Sequence, residues 1–174
     1  MPTLAVTVVG QDCPGIIARA ADILAGCAMN LEDSSMTLLR GQFAMTLICS
    51  GDTPSVEVES ALAPLGDQSL SVTVRTVPDQ PTSEPAGGPG QPYLITVHGA
   101  DRLGIVARLA AVVAEAGGNI TDLTTRLTGG LYVLAAEVDL PARSDPVATQ
   151  TALTAEAADL GVDISVRPLE DDEL

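Results

Sequence analysis

Apolar and polar positions along the chain follow one pattern twice. Leu4–Val9 and Tyr93–His98 are short β-rich runs that each end at a glycine. Behind the first, Ile16, Ile17, Ala20, Ile23, Leu24 and Cys27 recur at helical spacing, which predicts a helix with one apolar face. Met29–Leu39 and Phe43–Cys49, hinged at Arg40-Gly41, then read as a β-hairpin, and Ile120–Leu127 and Leu131–Leu140, hinged at Gly129-Gly130, as its twin. Second helices are expected to open at Thr53-Pro54 and Asp145-Pro146, a capping side chain followed by proline at the first helical position. They are expected to close at Gly66 and Gly161. A last strand alternates Leu70, Val72 and Val74 on one face with Ser71, Thr73 and Arg75 on the other.

The two halves are related residue by residue. Val6–Ser50 laid on Ile95–Asp139, an offset of 89, gives 14 identities in 45 positions. The match resumes between Leu70 and Val162 at an offset of 92, so three residues were gained in between. Two copies are too few for a solenoid, whose units need stacked neighbours. The order predicts an α+β protein: two ferredoxin-like βαββαβ domains in tandem, antiparallel sheets with helices on one face. The boundaries expected are 1–77 for the first domain, 78–91 for a Pro/Gly-rich linker, 92–170 for the second and 171–174 for an acidic tail.

Composition narrows the classes of function. The chain has 174 residues, enough for two small domains with their own cores. Its 23 acidic residues face 8 basic ones, all arginine, for a net charge of −15. Phosphate backbones are bound by releasing counterions to Lys and Arg, which such a chain cannot do well. One Phe, two Tyr and no Trp leave no stacking platform for single strands. Direct nucleic-acid binding is therefore not expected. The opening residues read as a strand without a basic flank, so no signal peptide is expected. No apolar run reaches the ~20 residues of a membrane span. Cys13, Cys27 and Cys49 lack metal-ligand spacing and read as reduced cytoplasmic thiols. No metal cluster, phosphate loop or nucleophile–base motif appears, so neither a cofactor nor an enzymatic activity is expected.

The candidate chemistry lies in a repeated turn. Asp12-Cys13-Pro14-Gly15-Ile16 and Asp101-Arg102-Leu103-Gly104-Ile105 are each followed, some 14 residues on, by Asn30-Leu31 or Asn119-Ile120. These segments resemble the ACT domain, a regulatory amino-acid-binding module whose usual turn is Asp-Arg-Pro-Gly-Ile/Val. Copy one keeps the proline and has Cys13 for the arginine, whereas copy two keeps Arg102 and has Leu103 for the proline. The tandem arrangement, with the stretch from Asn30 to Gly51, resembles the glycine cleavage transcriptional repressor family. The resemblance implies that effectors sit between the turn and the start of the next strand, often where two domains abut. It makes Asp12, Cys13, Gly15, Ile16, Asn30, Leu31, Asp101, Arg102, Gly104, Ile105, Asn119 and Ile120 the candidate ligand contacts.

Each group has a plainer reading beside that one. Asp12 and Asp101 stand where helix caps belong. Gly15 and Gly104 either admit a ligand close to the backbone or only ease packing. Asn30 and Asn119 either meet a zwitterion's ammonium or hold a left-handed turn. Cys13, at a helix start, could serve as a redox thiol. The expectation is a cytoplasmic sensor of a small amino acid, glycine or serine first, acting through a protein partner such as a DNA-bound transcriptional activator and assembling as a homodimer. The rival is an interaction module that binds no metabolite.

Overall fold

The computed structural model describes residues 2–66, 69–78 and 90–169. The chain divides into two units, Met1–Gln80 and Pro81–Leu174. Unit one runs β1 (Thr3–Gln11), α1 (Ile16–Gly26), β2 (Asn30–Leu39), β3 (Gln42–Ser50), α2 (Ser55–Gly66) and β4 (Leu70–Val77). Unit two runs β5 (Gln91–Ala100), α3 (Ile105–Glu115), β6 (Asn119–Thr128), β7 (Leu131–Leu140), α4 (Pro146–Leu160) and β8 (Val162–Pro168). Each forms a four-stranded sheet, ordered β2-β3-β1-β4 and β6-β7-β5-β8, with every paired neighbour antiparallel. These are the two βαββαβ units that the repeat predicts. Strand β5 starts at Gln91, one residue earlier than the expected boundary. The rest of the expected linker, apart from Pro78 and Gly90, and the acidic tail lie outside the described residues.

The alternation of β1 builds the first core. Leu4, Val6 and Val8 are fully buried under the helices, and Ile16, Ala20 and Leu24 of α1 and Val58, Leu62 and Leu65 of α2 close over them. Burial of such side chains contributes about 1.5–3 kcal/mol each before the entropy of ordering is counted. Ile23 and Cys27 pack at the margin of this core. Ile17 departs from the expected apolar face: it stays 49% exposed. The hairpins close as expected. Arg40 and Gly41 have φ of +50° and +81°, and Gly129 and Gly130 +59° and +85°, the paired left-handed residues of a turn whose twist matches that of the strands.

The second helices start differently from one another. Asp145 caps α4, its carboxylate accepting from the Val147 and Ala148 amides at 2.9 and 3.1 Å. Thr53 does not cap α2: its hydroxyl donates to the Cys27 carbonyl at 2.6 Å, tying the loop to the end of α1. The Pro54 carbonyl instead accepts the helix's first bonds, from the Glu57 and Val58 amides. In unit two, Arg108 on α3 pairs with Glu156 on α4 at 3.1 Å. Among the described residues no helix is long and apolar enough to cross a membrane.

Candidate functional site

The turn after each unit's first strand is held by its glycine. Gly15 and Gly104 are the N-cap residues of α1 and α3, with φ of +89° and +92°. An L side chain there is strained by about 1–2 kcal/mol, which accounts for glycine at both positions. Their carbonyls accept from the backbone amides of Arg19 and Arg108 at 3.0 and 2.9 Å and so open the helices. The amides of a helix's first turn have no partner within the helix and point outward, where the helix dipole favours an anion. A Cβ built on either glycine would meet no heavy atom within 4 Å, so a side chain at either position would enter open space.

Asp12 and Asp101 are not the caps that their positions suggest. Both are exposed and the N-cap positions, three residues later, carry no side-chain cap. Gly15 and Gly104 hold the N-cap positions instead, and the first-turn amides are left without a side-chain acceptor. The Asp12 amide instead donates to the Gly41 carbonyl at 3.0 Å, fastening the turn to the hairpin tip. Cys13 is half-buried against the first core, and Arg102 and Leu103 are exposed, Leu103 completely. Ile16 and Ile105 are each 2% exposed, so their side chains belong to the cores and only their backbone faces the turn.

Asn30 and Asn119 are exposed first residues of β2 and β6. They do not hold a left-handed turn: Ala28 (φ +54°) and Gly117 (φ +74°) do that, two residues earlier. Register places the asparagines far from their own turns. Ser50 faces both Thr3 and Asn30, and Asp139 faces both Pro92 and Asn119, so each asparagine is level with the beginning of the central strand. The turn follows that strand's other end, eight residues on from Thr3 at Gln11, or about 26 Å at 3.3 Å per residue. One copy therefore cannot bring its own glycine turn and its own asparagine onto one small molecule.

Leu31 and Ile120 lie beside features that the sequence reading missed. Strand β2 is an edge strand exposed along all ten residues. Between it and α1 runs an apolar groove of about 160 Å³ lined by Ile17, Ala21, Leu31, Met36, Met45 and Leu47 with two serines. Its counterpart beside β6, which includes Ile120 and Leu123, is nearly filled, with about 10 Å³. The available signal was Met36, Leu38 and Leu39 together on one strand, more apolar surface than one sheet face could cover. Cys49, also in unit one, is buried, and burial and then the Glu32 carboxylate push its thiol's pKa up. No group of three or more His, Cys, Asp or Glu among the described residues could hold a metal ion.

The model of the family described as "ACT domain" matches residues 2–76 and 91–167. The chain belongs to the ACT-domain family. Its tandem pair is homologous to the glycine cleavage system transcriptional repressor of Escherichia coli (strain K12), at 24% identity over 169 residues, 94% of this chain and 88% of that protein. A phosphoserine phosphatase of Streptomyces coelicolor is 30% identical over 168 residues, 95% of this chain but 40% of that protein. The crystal structure of an unknown protein from Galdieria sulphuraria superposes with a TM-score of 0.80 at 27% identity, covering 97% of this chain and 99% of that one. Family and homology together support a regulatory, amino-acid-sensing role.

Proposed function

We propose that this protein senses a small amino acid, glycine or serine first, and regulates transcription by contacting another protein, as a repressor of glycine cleavage genes would. The observation that carries the reading is the pair of open, glycine-capped helix starts in an ACT-domain chain. The carboxylate meets the outward amides of the first turn, and the ammonium meets an asparagine oxygen. That asparagine comes from another copy. Antiparallel pairing of β2 with a second chain's β2 sets Asn30 of one opposite Leu39 of the other, and Leu39 is level with Gln42 and Gln11, where the turn begins. A homodimer of this kind completes the site and couples ligand to assembly, because a ligand shifts only an equilibrium between states that it binds differently. The partner is a protein such as a DNA-bound activator, since a net charge of −15 opposes holding DNA directly. The location is the cytoplasm.

Calorimetry with glycine, serine and the other amino acids tests this reading. Wild type should give saturable heat, which Asn30→Ala or Asn119→Ala removes in whichever copy binds. Mixing the inactive asparagine variant with a variant carrying Gly→Val at the turn of the same copy should restore about a quarter of the sites, since half the dimers are mixed and one of their two sites is intact. No heat from any amino acid at millimolar concentration favours the second reading, a ligand-free interaction module, for which the exposed edge β2 speaks.

A further inference from the structure

Away from both turns, unit two holds a cavity of about 210 Å³ between the first turns of α4 and the sheet. Tyr93, Val113, Val138, Thr149, Leu153 and Val166 are among its twelve lining residues, and none of the twelve is charged. It opens to solvent past Val147, which lines it and is 72% exposed. An apolar cavity of about 150 Å³ suffices to take up benzene, so this space accepts a molecule of ring size.

Its few polar atoms set the chemistry. Thr149 is the buried polar residue among the described ones, at 7% exposure. Its hydroxyl donates to the Asp145 carbonyl at 3.0 Å, and the Tyr93 hydroxyl donates to Gln91 Oε1 at 3.3 Å. Both protons are committed while both oxygens keep lone pairs, so these residues offer acceptors. A zwitterion would lose its hydration here without a charged partner. The first unit has Leu24 where the second has Val113, and Val58, the first buried residue of α2, where α4 has Thr149. At both positions unit two carries the smaller or more polar side chain.

We propose that this cavity of unit two is a second ligand site for a small neutral ring-bearing molecule with one hydrogen-bond donor, of the phenol or indole type. It is separate from the amino-acid site at the turns and stands whether or not that site binds.

Titrations of the full chain with phenol and with indole, followed by methyl and amide NMR, test it. Saturable shifts should centre on Val113, Val138, Leu140 and Leu153, and free phenylalanine should produce none there. Val113→Leu, which copies the first unit, and Val166→Met should each weaken binding at least tenfold by filling the space. Thr149→Val should weaken phenol more than benzene. Shifts that centre elsewhere, affinity unchanged in folded filling variants, or no saturation by either probe up to its solubility would overturn the proposal. If a filling variant does not fold, the wild-type shift map alone decides.

Discussion

Met29 and Gly51 in the first unit stand where Gly118 and Leu140 stand in the second, and the two pairs fill the same space in opposite ways. A Cβ on Gly51 would lie 2.5 Å from Met29 Sδ and 2.8 Å from the Ala28 carbonyl oxygen, so no side chain fits opposite Met29. A Cβ on Gly118 would lie 2.7 Å from Leu140 Cδ2 and 3.0 Å from Val113 Cγ1. Each unit has one large and one absent side chain across the same contact, with the direction reversed. What is held in common is the volume, because a close-packed interior tolerates exchange only when the total is kept. The turn shows the contrary behaviour: Asp, Gly, Ile and later Asn are kept identical in both units. At Gly15 and Gly104 the backbone itself demands the residue, and no neighbour can compensate.

The largest effect that can break this comparison comes from mixing the two solutions. Gly51→Leu alone should cost about 3 kcal/mol or more through overpacking, and Met29→Gly alone about 2–5 kcal/mol through the space it leaves. The double variant, which copies unit two, should be less destabilised than the sum of the singles by at least ~1 kcal/mol. Urea unfolding of the four proteins measures the coupling, and additive costs would mean that the reciprocal pairs are coincidental.

Gly15→Ala and Gly104→Ala come next. Since neither new methyl meets an atom within 4 Å, only backbone strain remains, and each should cost about 1–2 kcal/mol. The two costs should agree within ~0.5 kcal/mol in denaturant midpoints converted at a common slope. A clear inequality would point to a different role for one turn.

The aspartates divide by structure where sequence treats them alike. Asp145→Ala should lose about 1 kcal/mol with its two amide bonds. Asp12→Ala and Asp101→Ala should stay within ~0.5 kcal/mol of wild type, as exposed residues that cap nothing. A loss of 1 kcal/mol at Asp12 or Asp101 would restore the capping role that their positions suggest.

The smallest effect is a pH dependence confined to unit one. Cys49 occupies the position of Val138, and its pKa is raised above the ordinary 9.0 by burial. The unfolded thiol ionises first, so the unfolded state binds fewer protons as pH rises past 9 and stability falls there. The contribution is complete below that ordinary value and is lost as pH climbs toward the folded one. Cys49→Val should flatten thermal stability between pH 8 and 10.5, and an unchanged alkaline slope would assign that slope to other groups.

Local chemistry was enough to read most of the fold. Period-2 and period-3.6 alternation placed the strands and helices, and glycines at Gly41 and Gly130 marked the hairpin tips, because these signals depend only on neighbours along the chain. Caps were read less well. Asp145 caps as its Asp-Pro signature suggests, but Thr53, in the equivalent Thr-Pro pair, turns to the Cys27 carbonyl across 26 residues of sequence. That choice needs a partner that local sequence does not contain.

The candidate site divides the same way. The residue types of an amino-acid site, a glycine turn and an asparagine, could be picked out from spacing and the ACT resemblance. Their separation could not. Whether a helix carries two marked positions together or apart depends on the direction in which it crosses the sheet, and here α1 and α3 carry the chain from one end of the sheet to the other. Pattern and repetition determined two βαββαβ domains and composition a net charge of −15, while the turn motifs carried the resemblance to the ACT family. Tertiary structure alone decided that turn and asparagine stand at opposite ends of the sheet within a copy, that β2 is left as an open edge, and that a cavity remains under α4. The reason is physical: secondary structure follows from contacts a few residues long, whereas register, edge exposure and unfilled volume arise only when segments distant in sequence are packed against each other.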